Sequence, residues 1–365
     1  MEKKLGFGCM RLPMKENQVD YEEFNKMIDL YMNGGFNYFD TAHGYIEGKS
    51  ETAIRECLVK RYPRESYVLT NKLTGTYFKT KEEIRLFFEK QLECTGVEYF
   101  DYYLMHSQDR NSYPHFQKTE AYEVACELKR EGKIKHLGIS FHDTAEMLER
   151  ILTEHPEIEI VQIQFNYIDF KNPSVQGEKV YNVCRKFNKP VLIMEPVKGG
   201  GLVNLPKDAK EVFDNLGDGL SYASYAIRFA ASFEGVTKVL SGMSNLEQIK
   251  DNLSYMKEFK PLEKREYQAI RKVVDILNDL GGIPCTACRY CVEGCPKKIS
   301  IPDLFGCYNA KVQFNDWNSD FYYGVHTQDC GKASDCIKCG KCEMVCPQHL
   351  RIRENLEKVA KTFEK

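Results

Sequence analysis

Residues 99–106 read YFDYYLMH, an apolar, aromatic-rich run that ends on a histidine. Its length and composition suit a strand buried on both faces. Six further runs share the character: FNYFD from 36, YVLTNK from 67, IKHLGIS from 134, IEIVQIQFN from 158, PVLIMEP from 190 and VTKVLSG from 236. Between them lie helix-period segments that open on capping boxes, an Asx or hydroxyl residue followed three positions later by Glu. Asp20 with Glu23, Thr80 with Glu83, Asp143 with Glu146 and Ser244 with Glu247 all fit. The Thr80 segment puts Ile84, Phe87, Phe88 and Leu92 on one face and stops near Gly96, as a helix packed on a sheet does. Strand alternating with helix implies a parallel sheet. The number of runs, and the lack of a G-x-G-x-x-G opening a helix, favour an α/β fold of the (β/α)8 TIM barrel type over an open doubly wound sheet. The eighth strand is expected between residues 198 and 222, where glycines blur any pattern.

The chain has 365 residues, with 51 Lys+Arg against 53 Asp+Glu. That balance carries no nucleic-acid footprint, so small-molecule or redox partners are expected. The opening MEKKLGFGCMRLP has no signal-type apolar core, and no run reaches the ~18 residues of a membrane span, so no membrane partner and a cytoplasmic location are expected. Fifteen cysteines would be unusual there as disulfides. Ten of them fall between Cys285 and Cys346, which points to metal ligation. Cys9, Cys57, Cys94, Cys126 and Cys184 stand singly and read as small buried apolar residues; Cys307 and Cys330, outside the boxes, read as packing residues, with a spare ligand as the alternative for either. The expected organisation is a barrel over 1–257, a linking helix over 258–281 with Tyr267, Ile270, Val274 and Leu277 at helical spacing, and a small loop-rich and helical cluster domain over 282–365.

Barrel active sites lie at the C-terminal ends of the strands. Asp40, Lys72, His106, Ser140, Gln162, Asn166 and Glu195 end successive runs. Buried charges facing one another are costly unless they form a working network. Such a network can move a proton to a carbonyl oxygen. A tyrosine near its ordinary value of about 10 needs a cation beside its phenolate to do so at neutral pH. Lys72 can supply the cation, Asp40 can hold Lys72, and Tyr45 is the tyrosine within reach.

With FDTAHGYIEGKSE at 39–51, NK at 71 and MH at 105, residues 4–255 resemble the aldo-keto reductase superfamily. The resemblance implies that Asp40, Tyr45, Lys72 and His106 form a catalytic tetrad in which Tyr45 protonates the substrate oxygen and His106 orients the carbonyl. It also implies an extended NAD(P)H site: Ser140 and Gln162 at the carboxamide, PVKGGGL (Pro196, Gly199, Gly200, Gly201) over the pyrophosphate, and Gly242, Ser244, Gln248 and Asn252 along the adenosine phosphate segment. Phe141, Met194, Gly242 and Gln248 depart from the family pattern, and the last two remove the cations that usually grip a 2'-phosphate. A flavin in the barrel is the alternative.

CTACRYCVEGCP at 285–296 and CIKCGKCEMVCP at 336–347 repeat one spacing, C-x2-C-x2-C-x3-C-P, 51 positions apart. Zinc sites favour paired knuckles instead. Both boxes resemble bacterial two-cluster ferredoxins, in which the fourth cysteine crosses to the other cluster. The resemblance implies Cys285, Cys288, Cys291 and Cys346 on one 4Fe-4S cluster and Cys336, Cys339, Cys342 and Cys295 on the second. The expected function is an oxidoreductase interconverting a small carbonyl compound and its alcohol, coupled to a fused electron-transfer module and served by a ferredoxin or other redox partner. The alternatives are an electron carrier whose barrel is a docking scaffold, and a nicotinamide-dependent reductase with structural clusters.

Overall fold

The computed structural model describes residues 3–364 apart from 174, 286, 288 and 347. Eight parallel strands close a barrel in the order β1 (Leu5–Gly8), β10 (Val236–Ser241), β9 (Val191–Met194), β8 (Ile160–Gln164), β7 (Ile134–Phe141), β6 (Phe100–Gln108), β5 (Val68–Leu73) and β4 (Tyr38–Asp40). A short antiparallel hairpin, β2 (Met14–Lys15) with β3 (Gln18–Val19), follows β1. All seven strand runs form strands of the barrel. The eighth does not lie between 198 and 222; it is β1, which pairs with β10 and β4. Half of LGFG is glycine, so it carries neither β-branched enrichment nor periodicity. The barrel requires that glycine: a Cβ on Gly6 would lie 2.6 Å from Leu240 Cδ2 and 3.3 Å from the Tyr38 ring. Residues 198–222 instead carry a 3-10 turn, Lys198–Gly200, and a helix, Lys207–Asp214.

Strand residues two apart share a face, and in this register the even-numbered ones share the barrel interior. Tyr38, Leu104, Ile160, Leu192 and Leu240 form one buried cluster from five strands. Two residues further along the same strands come Asp40, His106, Gln162, Met194 and Gly242. The apolar layer is thus the floor on which the polar strand ends stand. Gly138 opens space in that floor, since a Cβ there would lie 2.6 Å from both Leu104 Cδ2 and Ile160 Cγ2 and 2.7 Å from Ile160 O. Backbone on one side cannot yield, so Gly138→Val should destabilise the barrel by about 3 kcal/mol or prevent folding. Chemical denaturation checks this; a wild-type midpoint would contradict it.

Two of the four expected capping boxes hold their helices. Asp20 Oδ1 accepts from Glu23 N at 3.0 Å at the start of Tyr21–Asn33, and Thr80 Oγ1 from Glu83 N at 3.4 Å at the start of Lys81–Thr95. The other two are displaced by one residue. Thr144 precedes Ala145–Glu154, while Asp143 is drawn to Arg110. Asn245, not Ser244, caps Leu246–Met256, accepting from Gln248 N at 2.9 Å. Tertiary partners decide between neighbouring cap candidates that local sequence leaves equivalent.

The chain divides into two compact units, one comprising Met1–Lys171, Val175–Pro196 and Ala223–Leu262, the other Asn172–Ser174, Val197–Tyr222 and Glu263–Lys365. In the second, helix Lys264–Asp279 starts with a Glu263/Glu266 capping box and buries Glu266, Ala269, Ile270, Val273 and Leu277, so Val273 rather than Val274 faces inward. Its cysteine-bearing part is built on Ile299, Ile301, Leu304, Phe305, Tyr323, Leu356 and Val359.

Candidate active site

Asp40 and Lys72 lie near the C-terminal ends of adjacent strands, Asp40 opposite Thr70 and Lys72 two residues further along. Lys72 is fully buried, and its Nζ donates to Asp40 Oδ1 at 2.5 Å and to Thr41 O at 2.9 Å. Asp40 Oδ2 accepts from Gln162 Nε2 at 2.9 Å, so both carboxylate oxygens are engaged. Removing one partner of a pair this deep typically costs about 3–5 kcal/mol. Tyr45 arrives on the loop after β4, shaped by a turn from Ala42 O to Tyr45 N (3.0 Å). Its ring centroid lies 4.8 Å from Lys72 Nζ and 6.1 Å from the His106 ring, edge to face. The four expected residues therefore meet in one place.

Burial pushes the Tyr45 hydroxyl above its ordinary value; Lys72 opposes this, Asp40 adds to it, and Arg11 opposes it weakly. The expected depression by Lys72 is thus outweighed, and Tyr45 rests as the protonated acid. Burial works against the Lys72 ammonium, but Asp40 and Tyr45 more than offset it and hold its pKa above the ordinary lysine value. His106 Nδ1 is hydrogen-bonded with Thr74 Oγ1 at 2.7 Å, leaving Nε2 for a ligand.

Burial, then Lys72 and His142, hold His106 well below the ordinary histidine value, so it is neutral at pH 7. An unfolded chain protonates this side chain near about 6.5. Between the two values the unfolded state binds more protons, so stability present above about pH 6.5 is lost as pH falls. His106→Gln should flatten the fall in melting temperature between about pH 7 and 5; an unchanged slope would contradict this assignment.

Two residues of the FDTAHGYIEGKSE stretch that had no assigned role brace the site. Ser50 Oγ donates to Cys9 O at 2.8 Å and is paired with Thr41 Oγ1 at 2.7 Å. Glu51, fully buried, accepts from Asn71 Nδ2 (2.7 Å) and Gln91 Nε2 (3.2 Å) and pairs with His43 Nδ1 (2.6 Å). Gln91 Nε2 also donates to Lys72 O at 3.1 Å, so the strand segment bearing Lys72 is gripped from behind. Asn166 does not join the site. Its amide oxygen accepts from Ile168 N and Asp169 N in a local turn.

The expected cofactor residues divide. Ser140 and Gln162 line the same end of the barrel, with Ser140 Oγ accepting from Ser107 N at 2.8 Å. Pro196 closes the β9 segment of the barrel unit. Ser244 Oγ donates to Arg11 O at 2.9 Å, and its N–H donates to Gln248 Oε1 at 2.7 Å. Asn252 is buried; its Nδ2 donates to Ser241 Oγ at 2.6 Å and its Oδ1 accepts from Tyr255 OH at 2.5 Å. Both ends of that amide thus have protein partners. Gly199, Gly200 and Gly201 belong to the second unit, where a Cβ on Gly199 would lie 2.6 Å from Asp316 Oδ1 and one on Gly201 2.8 Å from Phe314 Cβ. Close packing by itself accounts for glycine at 199 and 201. Arg11 was missed because the strand before it was missed: its guanidinium lies 3.3 Å from where a Gly242 Cβ would stand and is within electrostatic reach of Tyr45.

In the second unit the repeated spacing is repeated in backbone conformation. Positive φ recurs at Ala287 and Lys338, at Arg289 and Gly340, and at Lys298 and His349, each pair 51 residues apart. Short helices Tyr290–Glu293 and Lys341–Met344 occupy equivalent places. Such turns aim successive N–H groups at an anion, and Ala287 N donates to Cys285 Sγ at 3.4 Å. One cavity is lined by Cys285, Cys291 and Cys346 with Ile301, Phe305 and Leu350. Another is lined by Cys295, Cys336, Cys339 and Cys342 with Ile299, Ile301 and Leu356. Cys288 lies outside the described residues. Cys307 is buried, as a packing residue should be, whereas Cys330 is exposed and packs against no core.

A closed parallel barrel with titratable groups gathered at its strand ends is the arrangement of a (β/α)8 enzyme. The chain belongs to the aldo/keto reductase family, whose model matches residues 4–275; the model of a 4Fe-4S dicluster domain matches residues 284–351. It is 24% identical over 280 residues to an uncharacterized oxidoreductase, YqkF, of Bacillus subtilis (strain 168), covering 68% of this chain and 86% of that one. It is 29% identical over 185 residues to the NADH-specific methylglyoxal reductase of Escherichia coli (strain K12), covering 46% of this chain and 54% of the reductase. Among solved structures, the holo form of aldo-keto reductase AKR11C1 from Bacillus halodurans superposes with a TM-score of 0.60 at 25% identity, covering 74% of this chain and 91% of that one. An aldo-keto reductase from Klebsiella pneumoniae in complex with NADPH superposes with a TM-score of 0.60 at 19% identity, covering 74% and 90%. Among the described residues no helix is long and apolar enough to cross a membrane.

Proposed function

We propose that the barrel interconverts a small carbonyl compound and its alcohol, and that the C-terminal unit carries two 4Fe-4S clusters that exchange electrons with a redox partner. The observation that carries the first part is Lys72 Nζ, held between Asp40 Oδ1 and the Tyr45 ring with His106 alongside. In the reducing direction the carbonyl carbon gains a hydride and the oxygen takes the Tyr45 proton. The phenolate left behind lies against the Lys72 ammonium, and Asp40 keeps that ammonium charged. His106, neutral and fixed by Thr74, orients the carbonyl through Nε2.

When bound, a nicotinamide would supply the hydride, and Ser140 and Gln162 would hold its carboxamide. Arg11, beside Gly242, offers an alternative cation for a cofactor phosphate on a rim where Gly242 and Gln248 provide none. For the clusters, the crossed cysteine sets that line the two cavities support Cys285, Cys288, Cys291 and Cys346 on one and Cys336, Cys339, Cys342 and Cys295 on the other. A flavin in the barrel is the second reading. It is favoured by the electron count, because a cluster passes one electron and carbonyl reduction consumes two.

The experiment is anaerobic reconstitution followed by visible and EPR spectra and assays of aldehydes and ketones with NADH, NADPH and reduced ferredoxin as donors. Carbonyl-dependent oxidation of a donor is expected. Loaded, folded protein that turns over no carbonyl with any donor would end this reading, and turnover surviving complete flavin depletion would end the second.

A further inference from the structure

The two cysteine boxes act as controls for each other. Positions 51 apart line the two cavities in pairs, Cys285 with Cys336, Cys291 with Cys342, Phe305 with Leu356 and Leu350 with Ile299. The cavity of Cys285 has Gln348 and Pro302 in its lining; at the equivalent positions the cavity of Cys339 has Lys297 and Arg353, and it adds Lys341 where the first box has Tyr290. Binding an iron–sulfur cluster therefore does not require these cations, since the equivalent cavity is built without them. The one cation lining the first cavity, Arg289, is neutralised by Asp303 at 2.9 Å and held by Ser300. Lys297 and Lys341 are exposed and, among the described residues, have no carboxylate within ion-pair distance, while Arg353 pairs with Glu343 at 2.8 Å.

The same face exposes what an electron-transfer contact needs. Among the ligand candidates that line the second cavity, Cys339 is exposed, whereas Cys295 and Cys336 are partly buried and Cys342 is buried. Ile337, which lines the second cavity, is 58% exposed beside it. Lys338 follows, its charge shared with Glu357 at 2.7 Å. An apolar contact beside two uncompensated lysines, Lys297 and Lys341, steers a partner of opposite charge and leaves the fit loose enough for rapid release.

Building on the two-cluster reading above, we propose that the face formed by Lys297, Ile337, Cys339, Lys341 and Arg353 docks an acidic one-electron carrier protein. Electrons cross at the Cys339 edge. Each encounter oxidises the carrier by one electron and reduces the cluster beneath by one, or the reverse.

The test is stopped-flow reduction of the reconstituted clusters by a strongly acidic reduced 4Fe-4S ferredoxin, with dithionite as the small reductant. The second-order rate should fall at least tenfold as salt rises from about 0.01 to about 0.1 M, which shortens the screening length from about 30 to about 10 Å. The double reversal K297E/K341E should lower the low-salt rate at least tenfold and by a larger factor than the rate with the small anion dithionite, with iron content and EPR signal unchanged. The milder K297Q/K341Q should fall between the two. A variant that keeps the wild-type ferredoxin rate, a rate independent of salt, or an equal loss from Gln348→Glu on the other cavity would overturn the docking site while leaving the clusters in place. Failure of the wild-type chain to bind iron would overturn both the docking site and the two-cluster reading.

Discussion

Tyr45→Phe lowers kcat for carbonyl reduction by about 10²- to 10⁴-fold, the range typical of a lost general acid. The prediction follows from what the substitution spares. The ring keeps its place over Lys72 and beside His106, so packing and the Asp40–Lys72 pair persist, and only the transferable proton is removed. Burial leaves Tyr45 protonated, so the wild-type group carries the proton that the variant lacks. The melting temperature should match that of the wild type and KM should move little, since the lost interaction forms mainly in the transition state. A variant that turns over at the wild-type rate would remove Tyr45 from the chemistry and leave the barrel's polar rim without an acid.

Cys295→Ser and Cys336→Ser should each abolish the same EPR component and about half of the bound iron, while Cys346→Ser should match Cys285→Ser. The pairing is counterintuitive, because Cys295 is ten residues from Cys285 and 41 from Cys336. It rests on the cavities: Cys295 lines the one that holds Cys336, Cys339 and Cys342, and Cys346 the one that holds Cys285 and Cys291. If Cys295→Ser instead depleted the Cys285 component, each box would serve its own cluster. These losses should also be losses of stability, since the apolar core of this part of the unit is small and ligand–metal bonds add directly to folding energy. Chelation should therefore melt the second unit before the barrel, a difference that hydrogen exchange resolves.

The parts legible in the linear chain were those with a local signature. The seven apolar runs, the polar residues Asp40, Lys72 and His106 that end three of them, and the two cysteine boxes all announce themselves within twelve residues or fewer. The strand β1 did not, because glycine at position 6 is required by Leu240 and Tyr38, more than 30 residues away. Losing β1 also hid Arg11, which enters the rim from its C-terminal end. The capping residue at 245 rather than 244 and the burial of Val273 rather than Val274 are decided by neighbours that local spacing does not encode.

Composition and period were enough to determine a parallel barrel followed by a cysteine-rich module, because seven of the eight strands and both boxes are specified by residues adjacent in the chain. Only the tertiary structure decided that Gln162 braces Asp40 and that Glu51 grips the strand of Lys72 through Gln91. Those choices depend on which side chains a barrel register brings within hydrogen-bonding reach, a matter of distance in space that distance along the chain leaves open.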